Sequence, residues 1–151
     1  MGNVIGKVHE TVDGFEWRID KFYDLTAKDR RFTSPPFFYN GISWRLRMES
    51  CVHPSDLTLG WIDLYVINES CKSPTYAEFS LALRHVTGRK VLESHCTEVF
   101  TKGHDRHFFR QFQDRRQLIE WKSELVPSGG ITVVFAVKIL KSVDEADKSF
   151  E

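Results

Sequence analysis

Cysteine and histidine are the residues of this sequence that could support nucleophilic or metal chemistry, and the chain has 3 cysteines and 6 histidines. A thiol enzyme needs an imidazole close to its cysteine to take up the thiol proton. His95 and Cys96 are adjacent in a predicted strand, where neighbouring side chains point to opposite faces, so they cannot pair with each other. His104 and His107 could share one helical face, but no third ligand follows at a spacing typical of a metal site. The sequence therefore predicts no metal site.

Motifs of known catalytic and cofactor chemistry are missing from the sequence. It has no glycine-rich phosphate loop, no Gly-x-Ser-x-Gly elbow and no His-Glu-x-x-His pair. Asp105 with Glu98 or Glu120 is a conceivable carboxylate pair, but such pairs are common on protein surfaces. We therefore expect a protein that is not an enzyme, with no catalytic residue and no cofactor.

Composition limits the partners and the compartment. The 151 residues indicate one domain, and 21 basic against 21 acidic residues leave no net charge to attract nucleic acid or an anionic membrane. No apolar run approaches the ~18 residues of a membrane span, so no membrane insertion is expected. Cys51, Cys71 and Cys96 are odd in number and widely spaced, which does not indicate a disulfide framework. A reducing compartment, the cytoplasm or the nucleus, fits best.

The elements that must position any site are predicted by apolar and polar residues that alternate, which is the pattern of a half-buried strand. The clearest strand covers residues 60–68, where Ile62, Leu64 and Val66 share one face and are expected to be core. The other face mixes large aromatic side chains with a carboxylate, and it consists of Trp61, Asp63, Tyr65 and Ile67. Such a face either binds a partner or packs under a loop.

The same alternation predicts strands elsewhere, at residues 15–19, 44–48, 79–83 and 131–139, with weaker candidates at 91–94 and 97–100. Residues 20–31 are predicted to be a loop that leads to an edge segment at 37–38. Residues 107–124 have roughly helical spacing, but repeated strands indicate an antiparallel sandwich, so we expect only short helical turns there. The expected core includes Trp44, Leu46, Phe79, Leu81, Val133, Phe135 and Val137.

Several stretches, read in order, carry a resemblance to a known domain family. They are FEWRIDKF at 15–22, SPPF at 34–37, GISWRLR at 41–47, WIDLYV at 61–66, FTKG at 100–103, LVP at 125–127 and ITVVFAV at 131–137. Their order and spacing resemble a MATH domain (meprin and TRAF homology, TRAF-C-like) over residues 13–140. The resemblance implies an all-β antiparallel sandwich of about eight strands with TRAF topology and one short helical segment. Residues 1–12 are then a polar lead-in and 141–151 an acidic flexible tail.

The resemblance also implies a function. MATH domains have no catalytic centre and capture short extended peptides of other proteins in a shallow groove across one sheet. Tyr65 matches a groove tyrosine, and residues 102–109 match a groove loop that reads Lys-Asp-Trp-Gly-Phe in the ubiquitin-ligase adaptors of the family. Glu98 occupies the position of a groove aromatic, which favours a more basic or polar peptide. The expected peptide-binding residues are Trp61, Asp63, Tyr65, Glu98, Lys102, Asp105, Arg106, Phe108 and Phe109.

The resemblance thus predicts a monomeric interaction module that acts as an adaptor in ubiquitin-ligase or receptor signalling. Two alternatives stay open from the residues alone. One is a thiol hydrolase that uses Cys96 with another histidine. The second is a carbohydrate-binding sandwich, because Trp and Tyr faces also stack on sugars.

Overall fold

Two antiparallel β-sheets pack face to face in the computed structural model, which describes residues 4–12, 14–70 and 73–142. The described residues form ten strands: β1 (Lys7–Thr11), β2 (Gly14–Ile19), β3 (Arg30–Thr33), β4 (Phe37–Tyr39), β5 (Ile42–His53), β6 (Asp56–Asn68), β7 (Thr75–Arg84), β8 (Lys90–Phe100), β9 (Arg106–Asp114) and β10 (Ile131–Ser142). Three short helices accompany them: α1 (Phe22–Leu25), α2 (Arg115–Glu120) and α3 (Lys122–Leu125), with a 3-10 turn at Pro127–Gly129. None of the helices within this described part is long and apolar enough to cross a membrane.

The strand order confirms the predicted all-β antiparallel sandwich. Sheet one has the order β1-β2-β10-β7-β8, and sheet two has the order β3-β5-β6-β9, with β4 also paired to β5. The edge strands β8 and β9 are linked by a turn in which Thr101 and His104 exchange backbone hydrogen bonds of 2.9 and 3.1 Å. The described residues form ten strands, whereas the resemblance implied about eight.

The core lies between the sheets and is formed by the residues whose alternation predicted it. Six of the seven expected core residues are buried, and the seventh, Val137, is half-buried against the same cluster. Phe135 of sheet one contacts aromatic rings of sheet two, with centroid distances of 5.8 Å to Trp44 and 5.7 Å to Phe37. Ile62, Leu64 and Val66 are also buried, as expected.

The structure differs in detail from the predictions at three ends and connections. Part of the predicted lead-in forms β1, whose residue Lys7 pairs with Arg18 of β2. The predicted loop at 20–31 contains α1 and the start of β3, and the two weak candidates at 91–94 and 97–100 are one strand, β8. The strands among these segments are stabilised largely by backbone hydrogen bonds, and such bonds do not require a regular alternation of apolar and polar side chains. Most of the predicted tail, residues 143–151, lies outside the described residues.

The segment at 107–124 was predicted to be helical turns, and this is right only for its second half, where α2 and α3 lie. The first half is β9, which carries a β-bulge. Ile62 of β6 pairs with Gln113 and Leu64 pairs with Phe109, so Asp63 alone faces residues 110–112. In an unbroken strand Phe109 and Phe112 would point to opposite faces, but across the bulge both join the core cluster. Their spacing of three residues is therefore the spacing expected of a helix, although both residues belong to a strand.

Replacing Phe135 by Ala should lower the free energy of unfolding by about 3 to 5 kcal/mol, as truncation of a buried aromatic residue does. Urea unfolding followed by circular dichroism measures this loss. The matched control is Phe38→Ala, because Phe38 is 68% exposed and should cost less than about 0.5 kcal/mol. A loss below about 1 kcal/mol for Phe135→Ala would contradict the placement of this ring in the core.

Candidate functional site

The outer face of sheet two carries an exposed pair of stacked aromatic rings. Tyr65 in the middle of β6 pairs with Arg47 of β5 on one side and with Phe108 of β9 on the other. Paired residues of neighbouring strands share a face, so the three side chains lie side by side. The rings of Tyr65 and Phe108 are parallel within 9° with centroids 4.5 Å apart, and the guanidinium carbon of Arg47 lies 5.6 Å from the Tyr65 centroid. Phe108 is 42% exposed, so the stack is open to solvent.

Two arginine residues, Arg47 and Arg31, lie near this stack. The Glu49 carboxylate is shared by two guanidinium groups, with distances of 3.4 Å to Nε of Arg31 and 3.5 Å to Nε of Arg47. The charges of Arg31 and Arg47 beside the rings are opposed by those of Glu49 and of Asp63. Burial, then the charges of Glu49 and Asp63, raise the pKa of the Tyr65 hydroxyl. The hydroxyl is therefore a neutral hydrogen-bonding group at physiological pH.

Trp61 lies on the same face, four residues before Tyr65 along β6, and is 37% exposed. Four residues of a strand span roughly 13 Å, since each residue advances about 3.3 Å. Trp61 lines one wall of a shallow depression with Cys51 and His53 of the neighbouring strand. Exposed aromatic side chains therefore occur at two points along the length of β6.

Asp63 lies between these two aromatic positions, but its carboxylate already accepts hydrogen bonds from neighbouring strands of sheet two. It is only 6% exposed, and its Oδ1 accepts a hydrogen bond of 2.6 Å from the backbone N–H of Gln111. Gln111 has a φ of 50°, the left-handed conformation that the bulge of β9 requires. The thiol of Cys51 also donates to Oδ2 at 3.7 Å. The Asp63 carboxylate thus stabilises the bulge of β9. Asp63 was predicted from the sequence to be a peptide-binding residue.

The two neighbouring phenylalanines of β9 point to opposite faces. Phe108 is outside on the stack, whereas Phe109 pairs with Leu64 and its ring packs edge-on against Phe79 of sheet one at 5.9 Å. The predicted binding residue Phe109 therefore lies between the sheets. Arg106, two residues before Phe108, is exposed on the outer face with its Nε 3.2 Å from the carboxylate of Asp105.

The other predicted site residues lie near the turn between β8 and β9. Lys102 is exposed in that turn, and the backbone carbonyl of Asp105 accepts a 2.8 Å hydrogen bond from the N–H of Asn68. Glu98 pairs with the buried Ala77, so its side chain points towards sheet two from the edge of sheet one. Its carboxylate lies 3.1 Å from Nδ1 of His107 and 3.6 Å from Nε2 of His104. Glu98 is thus separated from the aromatic stack.

Cys96 lies next to His107, and this proximity was not predicted from the sequence. Its Sγ lies 3.8 Å from Nδ1 of His107, whereas His95 points to the opposite face of β8, with its Nε2 2.6 Å from the Glu93 carboxylate. Burial, followed by repulsion from Glu98, raises the pKa of the Cys96 thiol. A thiol hydrolase needs the thiolate as nucleophile, so this environment gives the thiol hydrolase no support.

In comparisons with known proteins, no family model and no curated protein matches this sequence. The resemblance to the MATH family therefore stays a prediction, and any function has to be argued from the geometry of the site.

Replacing Asp63 by Ala should destabilise the protein by about 1 to 3 kcal/mol, because the N–H of Gln111 loses a charged acceptor in the partly buried bulge. Chemical denaturation measures the loss, and hydrogen exchange of the Gln111 amide should speed up. Asp63→Asn is the control, since its amide oxygen can still accept the bond and should cost less. Equal stability of Asp63→Ala and the wild type would contradict the role of this carboxylate in the bulge.

The pH dependence of stability should change in a Glu98→Gln variant. Burial by itself opposes ionisation of Glu98, but the hydrogen bonds from His107 and the Val99 N–H, together with the charges of His104 and His107, hold its pKa below the usual range. The stabilisation is present above the unfolded pKa of about 4.3 and is lost as the pH falls through the folded pKa.

Thermal unfolding of wild type and Glu98→Gln between about pH 2 and 7 tests this expectation. The wild type should be the more stable protein at the upper end, and the difference should shrink as the pH falls. A difference that stays constant over the whole range would contradict the lowered pKa.

Proposed function

We propose that this protein is a peptide-binding module of the MATH type, and that short extended segments of other proteins bind across the outer face of sheet two. The observation that carries this proposal is the solvent-exposed stack of Tyr65 and Phe108 beside the guanidinium groups of Arg47 and Arg31. Aromatic and arginine side chains are the residues that most often dominate protein interfaces.

The arrangement of aromatic residues favours an extended ligand. Trp61 and the stack lie roughly 13 Å apart along one strand, a distance that about four residues of an extended chain cover. A peptide along β6 could therefore place one apolar side chain on the Tyr65 and Phe108 rings while another reaches Trp61. Alternate side chains of such a peptide face the sheet, which is how strand-like peptides obtain specificity.

The charges favour an acidic ligand. Arg31 and Arg47 both approach the carboxylate of Glu49 through Nε, and each guanidinium has further N–H donors that a carboxylate or phosphate of the peptide can engage. The expectation of a more basic or polar peptide rested on Glu98, whose carboxylate contacts His104 and His107 between the sheets. We therefore propose a peptide in which an acidic residue is close to an aromatic or aliphatic anchor.

The resemblance to MATH domains supports the wider role. In this proposal the chain is a monomeric adaptor, without enzymatic activity or cofactor, in ubiquitin-ligase or receptor signalling in the cytoplasm or nucleus. The raised pKa of Cys96 agrees with a protein that does not use a thiol nucleophile.

A screen of a short-peptide display library, followed by titration of the best binder, tests the proposal. Tyr65→Ala and Phe108→Ala should each weaken binding at least ~30-fold, which corresponds to about 2 kcal/mol for an aromatic anchor. Their melting temperatures should stay close to that of the wild type, because both side chains lie outside the core. Arg31→Gln should weaken binding less and should reduce its dependence on salt.

Tyr76→Ala is the matched control, because Tyr76 is 39% exposed but lies on β7 in sheet one. It should bind like the wild type. A Tyr65→Ala protein that is destabilised but binds normally when folded would move the site off this face. A blank peptide screen together with a positive glycan array would favour the carbohydrate-binding alternative.

A further inference from the structure

The open edge between the two sheets brings three kinds of metal ligand together. Cys96 and Glu98 are two residues apart on β8 and therefore share a face, and their partners Phe79 and Ala77 are buried. Both side chains thus point towards sheet two, where His107 of β9 meets them. We call Cys96, Glu98 and His107 the edge cluster.

The distances within the edge cluster are close to those of a metal site. Nδ1 of His107 lies 3.1 Å from Oε2 of Glu98 and 3.8 Å from Sγ of Cys96, and the ligand atoms all lie within 4.8 Å of one another. In a tetrahedral zinc site with bonds of about 2.0 to 2.3 Å, ligand atoms are about 3.3 to 3.6 Å apart. Shifts of about 1 Å or less, which side-chain rotations provide, would complete the geometry.

We propose that the edge cluster is a zinc-binding site with one thiolate, one imidazole and one carboxylate ligand. A thiolate with an imidazole selects zinc over magnesium or calcium, which prefer oxygen ligands. The fourth position of the tetrahedron belongs to water or to His104, whose Nε2 lies 3.6 Å from the second oxygen of Glu98. The site is separate from the aromatic stack, so it does not depend on the proposed peptide function.

Charge and hydrogen bonding support a cation at this point. Without a metal, Nδ1 of His107 lies 3.1 Å from the Glu98 carboxylate, and the Cys96 thiol donates a weak hydrogen bond of 3.6 Å to the Thr97 carbonyl. A dication can replace these hydrogen bonds with bonds to Nδ1, the carboxylate and the thiolate together. When zinc binds, the S–H bond of Cys96 breaks, its proton goes to solvent and an S–Zn bond forms. The neutral imidazole of His107 then carries its proton on Nε2, so that the lone pair of Nδ1 forms the N–Zn bond. The two charges of zinc are then balanced by one thiolate and one carboxylate.

The edge cluster is also held in position before any metal binds. The His107 ring packs edge-on against Phe79 at 5.4 Å and against Phe109 at 4.8 Å, which restricts its orientation. Cys96 and Glu98 belong to sheet one and His107 belongs to sheet two. A bound zinc ion would therefore join the edges of the two sheets and should raise the melting temperature.

Titration of the purified protein with Co²⁺ tests the site directly, because a cobalt–thiolate bond gives a charge-transfer band in the near ultraviolet. We expect this band to saturate at one ion per chain and to disappear when zinc is added in competition. Cys96→Ser should abolish the band and His107→Gln should weaken it strongly. Cys51→Ser is the matched control and should keep the band, since Cys51 contacts Asp63 on the other face of sheet two.

A second measurement does not depend on variants that fold. Alkylation of the native wild-type protein, followed by mass spectrometry, should show that zinc slows the labelling of Cys96 but not of Cys51. A folded wild type without the cobalt band, a band that persists in Cys96→Ser, or equal labelling of Cys96 with and without zinc would each overturn the proposal.

Discussion

The pairing of β9 with β6 is the constraint on which both candidate sites depend. The Asp63 carboxylate accepts the Gln111 N–H and so stabilises three residues of β9 opposite one residue of β6. With this bulge in place, Phe108 stacks on Tyr65 outside while His107 and Phe109 stay between the sheets. A slip of one residue would reverse every one of these side chains. The regular pairing of His107, Phe108 and Phe109 with β6 thus places the aromatic stack and the edge cluster on opposite faces of sheet two.

The strands that alternation predicted are those with one buried face. In β5 every second residue from Trp44 to Ser50 is buried, and in β6, β7 and β10 the inward-facing residues are buried together with some of their neighbours. The burial that stabilises these strands therefore also selects apolar residues at alternate positions. The missed strand β1 has a largely polar sequence and relies on backbone hydrogen bonds to β2. The missed strand β9 has an alternation that its bulge interrupts. Side-chain polarity carries no information about either feature.

The candidate sites were predictable to different degrees. Tyr65 was expected to be exposed, since it lies on the face opposite Leu64 in a well-marked strand, and the resemblance to MATH domains drew attention to Phe108. The place of Glu98 and the approach of His107 to Cys96 depend on how the edges of two different sheets meet. The alternation of Cys96 and Glu98 signals a shared face, but no local pattern shows that a histidine eleven residues away completes the group.

The position of β10 determines the order in which the chain can fold during its synthesis. Although β10 follows all the other strands in sequence, it is a central strand of sheet one, between β2 and β7. Before residues 131–142 leave the ribosome, β2 and β7 have no common neighbour, and each has one strand edge unpaired. A nascent chain therefore exposes these unpaired strand edges until residues 131–142 have been synthesised, and exposed strand edges make a chain prone to aggregation.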